Sequence, residues 1–363
     1  MTKELSIYLD VMRTFSAFLI VFAHFSFTRF TSENLNYFHQ FGQTAVIIFF
    51  VLSGYVITYV VDIKEKTFKN YFISRFARLY SVVLIALIVV FFLDSIGQNF
   101  NGLMYEGYYR DSNFLVRFIV NILFLQQLWF FNISYLSDGP LWSLGYEFWY
   151  YILFGVVMFL EGKKKYVFII LISLIIGPKI LLLLPIWLCG VWIYYFHQNR
   201  LLSQNISRII FILTPVLFLY FFTYYSEINT FIYSILGENM IEKLGFSKEF
   251  ITDYITGFFT GLHILSMKYI NLNILNKILF RGERMIRFFA NSSFSIYLFH
   301  FPLFLFFAAL FNHNPNSVID IVVLFIVTIL SCIIIAQYTE NKKYVYKKYI
   351  TIIWTNIERR IQK

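Results

Sequence analysis

The sequence has few charged residues. Asp, Glu, Lys and Arg make up 14% of its 363 residues, against roughly 25% in an average soluble domain. So few charges cannot cover the apolar surface of a chain in which 59% of the residues are hydrophobic. The shortage excludes an ordinary soluble enzyme, a disordered chain and a fibrous repeat. It favours a polytopic membrane protein.

Cysteine is also nearly absent. The two cysteines, Cys189 and Cys332, lie in apolar runs without a CxxC partner or a nearby histidine, which excludes a disulfide framework and a zinc site. We therefore expect no metal. A cleavable signal is lacking as well, because Asp10 and Arg13 interrupt the first apolar run and no small-residue cleavage pattern follows. We expect the first helix to remain as a membrane anchor.

The sequence does contain long apolar runs. Several reach the about 20 residues that a helix needs to cross the hydrocarbon of a bilayer. Helices are expected because they satisfy their own backbone hydrogen bonds in lipid. The apolar segments are 7–28, 41–61, 79–96, 114–131, 141–160, 166–184, 185–197, 208–226, 251–270, 288–311 and 317–338.

The distribution of charge predicts the orientation of these helices. Lys and Arg number 30 against 20 Asp and Glu, an excess that cytoplasmic loops explain better than nucleic-acid binding. The basic segments are 62–80, 161–166, 198–208, 268–287 and the tail after 340. The acidic segments are 97–113, 132–140, 227–250 and 312–316. We place the basic segments in the cytoplasm and the acidic segments outside.

This orientation sets the number of crossings. If 114–131 spanned the membrane, the three lysines at 163–165 would lie outside, so we predict that 114–131 is re-entrant or interfacial. The expected fold is an all-α polytopic membrane bundle of about ten spanning helices, with both chain ends in the cytoplasm. Residues 1–340 would form one transmembrane domain and 341–363 a basic cytoplasmic tail.

Polar side chains inside apolar runs are the candidates for function, because a charge at mid-bilayer costs at least about 2.5–3.5 kcal/mol. Arg13 and His24 lie on one face of the first helix and roughly 16 Å apart, at 1.5 Å and about 100° per residue. Asp10 lies one turn before Arg13 and can pair with it. The stripe predicts an anion-binding group near the cytoplasm and an acid–base group deeper in the bilayer. The alternative is an interfacial arginine and a structural histidine.

Two further motifs follow along the chain. Ser53 and Gly54, in FFVLSGY at 49–55, allow close backbone approach, which helix packing explains equally well. Arg75 and Arg78 are one turn apart and can hold phosphates bidentately. Taken alone, these two arginines are better explained by cytoplasmic orientation.

The later candidates carry a carboxylate and a second histidine. Glu147 stands alone in the aromatic segment 139–151, at a depth expected to match His24, so the two could form a His–carboxylate pair. The alternative is a glutamate hydrogen-bonded at the interface. Tyr297 and His300 are one turn apart, and a structural hydrogen bond between them is as plausible as a functional one. The remaining histidines receive no role: His39, His197, His263 and His313.

In this order, the motifs resemble the acyltransferase-3 family of integral membrane acyltransferases. The resemblance rests on the opening LDxxR helix with Arg13 and His24, on FFVLSGY, on Arg75 and Arg78, on WSLGYE at 142–147 and on SIYLFH at 295–300. It covers residues 5 to about 160 closely and 288–303 less closely. Segment 166–287 matches only in hydropathy.

The resemblance implies an activity and a set of roles. The family moves an acyl group, most often acetyl, from cytoplasmic acyl-CoA to a sugar hydroxyl, often at the outer face of the cell membrane. His24 would be the catalytic base or acyl carrier, and Glu147 would support it. Arg13, Arg75 and Arg78 would contact acyl-CoA, and Ser53 and Gly54 would line the donor path. The supporting residues would be Asp10, Trp142, Ser143, Tyr297 and His300.

Two other functions compete with this one. A transporter or exporter of a glycan or a small anion could line its path with Arg13 and His24, but we find no internal repeat of the kind that many transporters carry. A purely structural membrane subunit would leave Arg13, His24 and Glu147 unexplained. The expected partners are therefore acyl-CoA, a carbohydrate acceptor and the lipid bilayer.

Overall fold

The chain folds into a bundle of α-helices in a computed structural model that describes residues 1–33, 35–270 and 273–361. The predicted all-α architecture is confirmed for these residues. The helices are α1 Lys3–Phe25, α2 Thr28–Thr31, α3 Phe41–Ile63, α4 Phe68–Asn101, α5 Phe114–Ile122, α6 Trp142–Phe159, α7 Gly162–Asn199, α8 Gln204–Phe222, α9 Tyr225–Leu236, α10 Glu238–Leu244, α11 Phe250–Met267, α12 Asn273–Ala290, α13 Ser293–Leu310, α14 Val318–Tyr338 and α15 Lys343–Ile361.

Many of these helices can cross a membrane. Within the described ranges, seven stretches are long and apolar enough: Lys3–Phe25, Asn36–Ile63, Phe68–Tyr105, Gly162–Asn199, Gln204–Phe222, Ser293–Leu310 and Val318–Arg360. α6 and α11 are not among them, although each has 18 residues, as α13 does. The chain is thus a polytopic helical membrane protein. The ten crossings and the cytoplasmic location of both ends stay predictions.

The centre of the bundle is formed by α3 and α13. α3 packs against α1, α7 and α11, and α13 packs against α1, α4 and α14. Both helices are apolar on all sides, which is the pattern of a helix buried in protein or lipid. Functional side chains on α1, α3 and α13 are therefore brought together in the interior.

The contact between α3 and α7 explains Gly54. A β-carbon at Gly54 would lie 2.0 Å from the Trp187 carbonyl oxygen, and one at Gly190 would lie 2.0 Å from the Val51 carbonyl oxygen. Only glycine allows two helix backbones to approach this closely. The side of Gly54 where a β-carbon would stand is therefore filled by α7, and its place on a donor path stays a prediction.

The break in α7 differs from the sequence prediction. The sequence predicts two helices meeting at 184–185, but the run continues through Pro185 and breaks at Gly177, with φ 77° and ψ 179°. Trp129 lies against the break. Its backbone N–H donates to the Ile176 carbonyl over 2.9 Å, and its indole N–H donates to the Leu174 carbonyl over 3.0 Å. These bonds give partners to carbonyl groups at the end of the first helical half.

Segment 114–131 does not cross the bundle, as predicted. Its helix, α5, has nine residues and is about 13.5 Å long, less than half of the roughly 30 Å hydrocarbon core. The polar side chains that follow are buried in contacts. Gln126 donates to the Leu141 carbonyl over 3.1 Å, and Gln127 donates to Asn132 over 2.9 Å.

The predicted C-terminal tail is largely helical. Its helix α15 packs against α4. Lys69 forms a 2.5 Å ion pair with Glu358, and the Phe68 and Trp354 rings are in contact. α15 therefore packs against the N-terminal end of α4.

Candidate active site

Two of the cavities formed by the described residues contain most of the candidate site residues. The first, called the His24 cavity, has a volume of about 770 Å³ and is lined by α1, α3 and α13 and by segments 107–110, 132–142 and 225–249. The second, called the arginine cavity, has a volume of about 50 Å³. Its polar lining residues are Arg13, Ser53, Arg78, Ser143, Glu147, Ser293 and Tyr297.

His24 is hydrogen-bonded to His300. His24 Nδ1 lies 2.7 Å from His300 Nε2, and the two rings are inclined by 12° with centroids 5.0 Å apart. His300 Nδ1 lies 2.9 Å from the carbonyl oxygen of Ile296. α1 supplies one histidine and α13 the other, so the pair depends on the packing of these two helices.

The Ile296 carbonyl assigns the protons of this pair. A carbonyl oxygen only accepts, so His300 Nδ1 carries hydrogen and its Nε2 holds a lone pair in the neutral ring. His24 Nδ1 must then donate to that lone pair, which leaves the lone pair of His24 on Nε2. His24 Nε2 has no hydrogen-bond partner among the described residues, and His24 lines the larger cavity. The ring is therefore set as a proton acceptor facing the cavity.

Glu147 does not pair with His24, so this expectation is wrong. Its carboxylate accepts hydrogen bonds from Ser53 Oγ, over 2.8 Å, and from the Tyr151 hydroxyl. It lines the arginine cavity and is close enough to Arg13 and Arg78 to attract both electrostatically. The reason is depth, because α6 contributes Trp142 to the His24 cavity and Glu147, further along the helix, to the arginine cavity.

Arg13 and Arg78 are the two cations of the arginine cavity. Among the described residues, the Arg78 guanidinium makes no hydrogen bond and no ion pair within 4 Å, and Arg13 has one distant ion pair, 3.9 Å from Asp10. Asp10 instead accepts a 2.6 Å bond from Arg287. The expected Asp10–Arg13 pair is thus weak. Guanidinium groups have five N–H donors, so both arginines keep donors for an anionic ligand.

Arg75 is placed differently from Arg78. It is buried and donates to both carboxylate oxygens of Glu65, over 2.9 and 3.1 Å. It does not line either cavity in the described structure. The structure therefore does not bring the two arginines to one ligand, because Glu65 already neutralises Arg75.

The remaining candidates lie between or beside the cavities. Tyr297 donates to the Pro140 carbonyl over 3.0 Å, and its oxygen lies 2.7 Å from Ser143 Oγ. The Tyr297 hydroxyl makes no hydrogen bond to His300, so the expected bond between the two side chains, structural or functional, is not present. Trp142 lines the His24 cavity and stacks on Phe246, with centroids 4.2 Å apart.

The comparisons with known proteins follow the same motifs. Residues 6–337 match the family model described as an acyltransferase domain. The chain belongs to the acyltransferase-3 family. An O-acetyl transferase of Shigella phage Sf6 is 26% identical over 238 residues, which cover 60% of this chain and 70% of that protein. An uncharacterized protein of Haemophilus influenzae is 29% identical over 141 residues, covering 35% of this chain and 55% of that protein. No solved structure matches.

Membership of the acyltransferase-3 family makes the chain a multi-pass membrane acyltransferase. The transporter alternative has no support from these matches. An acyl donor is implied by the family. No group of three or more His, Cys, Asp or Glu side chains in the described ranges is arranged to hold a metal ion.

The acyltransferase motifs do not include one wall of the His24 cavity. This wall comes from the acidic segment 225–249, where Tyr225 and Tyr233 donate to Glu249 over 2.7 and 2.9 Å. Burial, followed by nearby carboxylate charge, raises the pKa of both tyrosines, so both phenols stay protonated and orient the carboxylate. The run of Tyr, Asn and Glu in an otherwise apolar chain was the only sequence signal for this wall.

The other histidines divide between cavity and core. His39 also lines the His24 cavity, although no pattern in the sequence selects it. His197 contacts Tyr55 and the Leu265 carbonyl, and His313 contacts the Phe30 carbonyl over 2.8 Å. Both of these are held by the protein and line neither cavity.

Proposed function

We propose that this protein is an O-acyltransferase that moves an acyl group, foremost acetyl, from cytoplasmic acyl-CoA to a hydroxyl of a cell-surface polysaccharide or its lipid-linked precursor. The observation that carries the proposal is the unpaired Nε2 of His24, held as a proton acceptor by His300 and facing a cavity of about 770 Å³. The name of the phage relative, an O-acetyl transferase, supports the same reaction.

The arginine cavity supports the donor side of the proposal. Acyl-CoA carries several phosphates, and guanidinium groups bind phosphate bidentately. At about 50 Å³ the cavity cannot hold the nucleotide, so the phosphates would stay at its mouth while the pantetheine arm extends inward. The roughly 16 Å between Arg13 and His24 along α1 is a distance that this long arm can cover.

The His24 cavity supports the acceptor side. Aromatic faces such as Trp142 and Tyr108 lie beside amide and carboxylate side chains such as Asn229 and Glu249. Sugars present both apolar C–H faces and hydroxyl groups, so a mixed lining of this kind suits them. An acceptor hydroxyl in this cavity would lie within reach of His24 Nε2.

The proposed reaction uses one proton acceptor. His24 Nε2 takes the proton of the acceptor hydroxyl while the oxygen bonds to the thioester carbonyl carbon. The carbon–sulfur bond then breaks, and the CoA thiolate takes the proton from His24. His300 Nε2 accepts the hydrogen bond from His24 Nδ1–H throughout and so stabilises the imidazolium form of His24.

A second route uses the same lone pair. His24 Nε2 attacks the thioester carbon, and the carbon–sulfur bond breaks to release the CoA thiolate. The acyl-imidazolium then passes its acyl group to the acceptor hydroxyl, whose proton goes to the thiolate, and His24 returns to the neutral ring. The two routes differ in a measurable way. Labelled acetyl-CoA without acceptor leaves covalent label on His24 only in the second route.

The test is transfer of labelled acetyl groups in proteoliposomes, with membrane extract of the native host as acceptor. We expect label in glycan with the native protein and its loss with His24→Ala. His197→Ala is the matched control, because His197 is a buried histidine outside both cavities. Equal transfer by the native protein and His24→Ala, with both folded, would contradict the mechanism.

A further inference from the structure

The two cavities share two residues. Val46 of α3 and Tyr297 of α13 line both the His24 cavity and the arginine cavity. Both side chains are buried, with exposed fractions of 3% and 5%. They therefore form the partition that separates His24 from Arg13 and Arg78.

Tyr297 is fixed on several sides. Its hydroxyl donates to the Pro140 carbonyl over 3.0 Å, so the Ser143 hydroxyl, 2.7 Å away, is the donor to Tyr297. Its ring meets the edge of Phe49, with centroids 5.8 Å apart. Two hydrogen bonds and one aromatic contact thus hold the ring between the two cavities.

The proposed reaction needs a passage through this partition. The thioester would enter from the arginine cavity, and the base faces the other cavity, so the acyl group has to pass between Val46 and Tyr297. The His24 cavity reaches exposed side chains such as Arg110 and Glu242, so water has access to it.

We infer that Tyr297 is a positioning residue that keeps the donor thioester apart from the water of the His24 cavity until the acyl arm displaces its ring. This inference rests on the proposed function for its purpose, but the partition itself rests on the geometry alone. Without the ring, water would attack the thioester carbon. The carbon–sulfur bond would break to give the free carboxylic acid and the CoA thiol, and that acyl group would be lost to the acceptor.

The partition is tested by thiol labelling. Val56 lines the arginine cavity, and we would place a single cysteine there, Val56→Cys, in a background with Cys189→Ala and Cys332→Ala. A small anionic methanethiosulfonate reagent that does not cross membranes is added to intact cells and to inverted vesicles. With Tyr297 present we expect labelling from one side only. With Tyr297→Ala we expect labelling from both sides.

Two further variants sharpen this test. Tyr297→Phe keeps the ring and loses both hydrogen bonds, so we expect labelling from the second side that is slower than in Tyr297→Ala. If Tyr297→Ala does not fold, the comparison of Tyr297→Phe with the native background tests the partition. Tyr150→Phe is the matched control, because Tyr150 is buried, donates to the Ile180 carbonyl over 2.9 Å and lines neither cavity. Labelling that is the same in the native background, in Tyr297→Phe and in Tyr297→Ala would overturn the partition.

The activity readout is the ratio of acyl-CoA hydrolysis to acyl transfer. We expect Tyr297→Ala to raise this ratio by about tenfold or more, since closed sites suppress hydrolysis, and Tyr150→Phe to leave it unchanged. An unchanged ratio in Tyr297→Ala would overturn the positioning role. If the native protein transferred no acyl group but labelling still depended on Tyr297, the proposed function would fail while the partition stood.

Discussion

At the scale of single residues, the proposed mechanism depends on the hydrogen bond between His24 and His300. We predict that His300→Phe lowers the rate of acyl transfer about 10²-fold or more, because His24 Nδ1–H loses its acceptor and the ring can turn or change tautomer. His300→Gln should recover part of the rate, since its amide oxygen can accept the same bond. Initial rates at saturating acceptor, normalised to folded protein, measure both effects.

The same experiment separates catalysis from packing. His197→Gln also removes a buried ring that bonds a tyrosine and a carbonyl, but it lies outside both cavities. Its transfer rate should stay near the native value. A His300→Phe variant as active as His197→Gln would contradict the role of His300.

A second residue-scale prediction separates two arginines that the sequence treats as equivalent. Arg78→Gln should raise the KM for acyl-CoA about tenfold to a hundredfold, because a charge-assisted bond is worth about 1.5–3 kcal/mol, and leave stability nearly unchanged. Arg75→Gln should lower the free energy of unfolding by about 3–5 kcal/mol, because Glu65 becomes a buried unpaired charge. Donor titration and equilibrium unfolding in detergent measure these effects.

The double variant Glu65→Gln/Arg75→Gln provides the control, since it removes the unpaired charge and should regain most of the stability. If Arg75→Gln instead raised the KM for acyl-CoA as strongly as Arg78→Gln, the separation drawn from the Arg75–Glu65 contact would be wrong.

Local sequence spacing predicted Arg13 and His24 on one helix, but not their partners. The face shared by Arg13 and His24 follows from helical periodicity within α1. The pairing of His24 with His300 depends on how α1 packs against α13, across 276 residues of chain. No periodicity within a single helix carries that information.

At the scale of helices, the break in α7 is the feature with the clearest consequence. Gly177→Ala should lower the free energy of unfolding by roughly 2–6 kcal/mol. The position has φ 77°, and a β-carbon would lie 2.7 Å from Trp129 Cα. Because the segment after Trp129 supplies part of the wall of the His24 cavity, the transfer rate should fall as well. Thermal or denaturant unfolding in detergent measures the loss.

Gly162→Ala is the matched variant. Gly162 also has a positive φ, 59°, but no atom lies within 4 Å of its added β-carbon. It should therefore cost only about 1–2 kcal/mol and leave transfer unchanged. Equal losses for the two variants would show that backbone strain alone matters and that the Trp129 contact does not.

The helices themselves were predictable, and their relative depths were not. Apolar length located α6, but it does not set the depth of Glu147 relative to His24, which depends on how α6 packs in the bundle. Glu147 was consequently assigned to His24, whereas α6 directs it to Ser53 and Tyr151. The break at Gly177 was missed for a related reason, because it depends on Trp129, 48 residues earlier.

At the scale of the whole molecule, the first helix and the last described helix both begin or pack on the side of the bundle that holds the arginine cavity. α1 begins at Lys3 and reaches Arg13 before His24. α15 packs at the beginning of α4, which precedes Arg78, through the Lys69–Glu358 ion pair. The arginine cavity, Lys3 and Glu358 thus lie on one side of the bundle, and His24 and segment 225–249 lie on the other.

This arrangement predicts vectorial transfer. In sealed vesicles, labelled acetyl-CoA should support transfer only when it is supplied on the side that carries a C-terminal tag, and label should enter glycan on the opposite side. The reason is that Tyr297 and Val46 separate the two cavities, so neither CoA nor sugar passes through.

Protease access to the tag reports vesicle orientation, and permeabilised vesicles, which should lose the asymmetry, serve as the control. Transfer that is equally fast with acetyl-CoA on either side of sealed vesicles would contradict this assignment of the cavities, because a donor reaching His24 from the sugar side would not need Arg13 or Arg78.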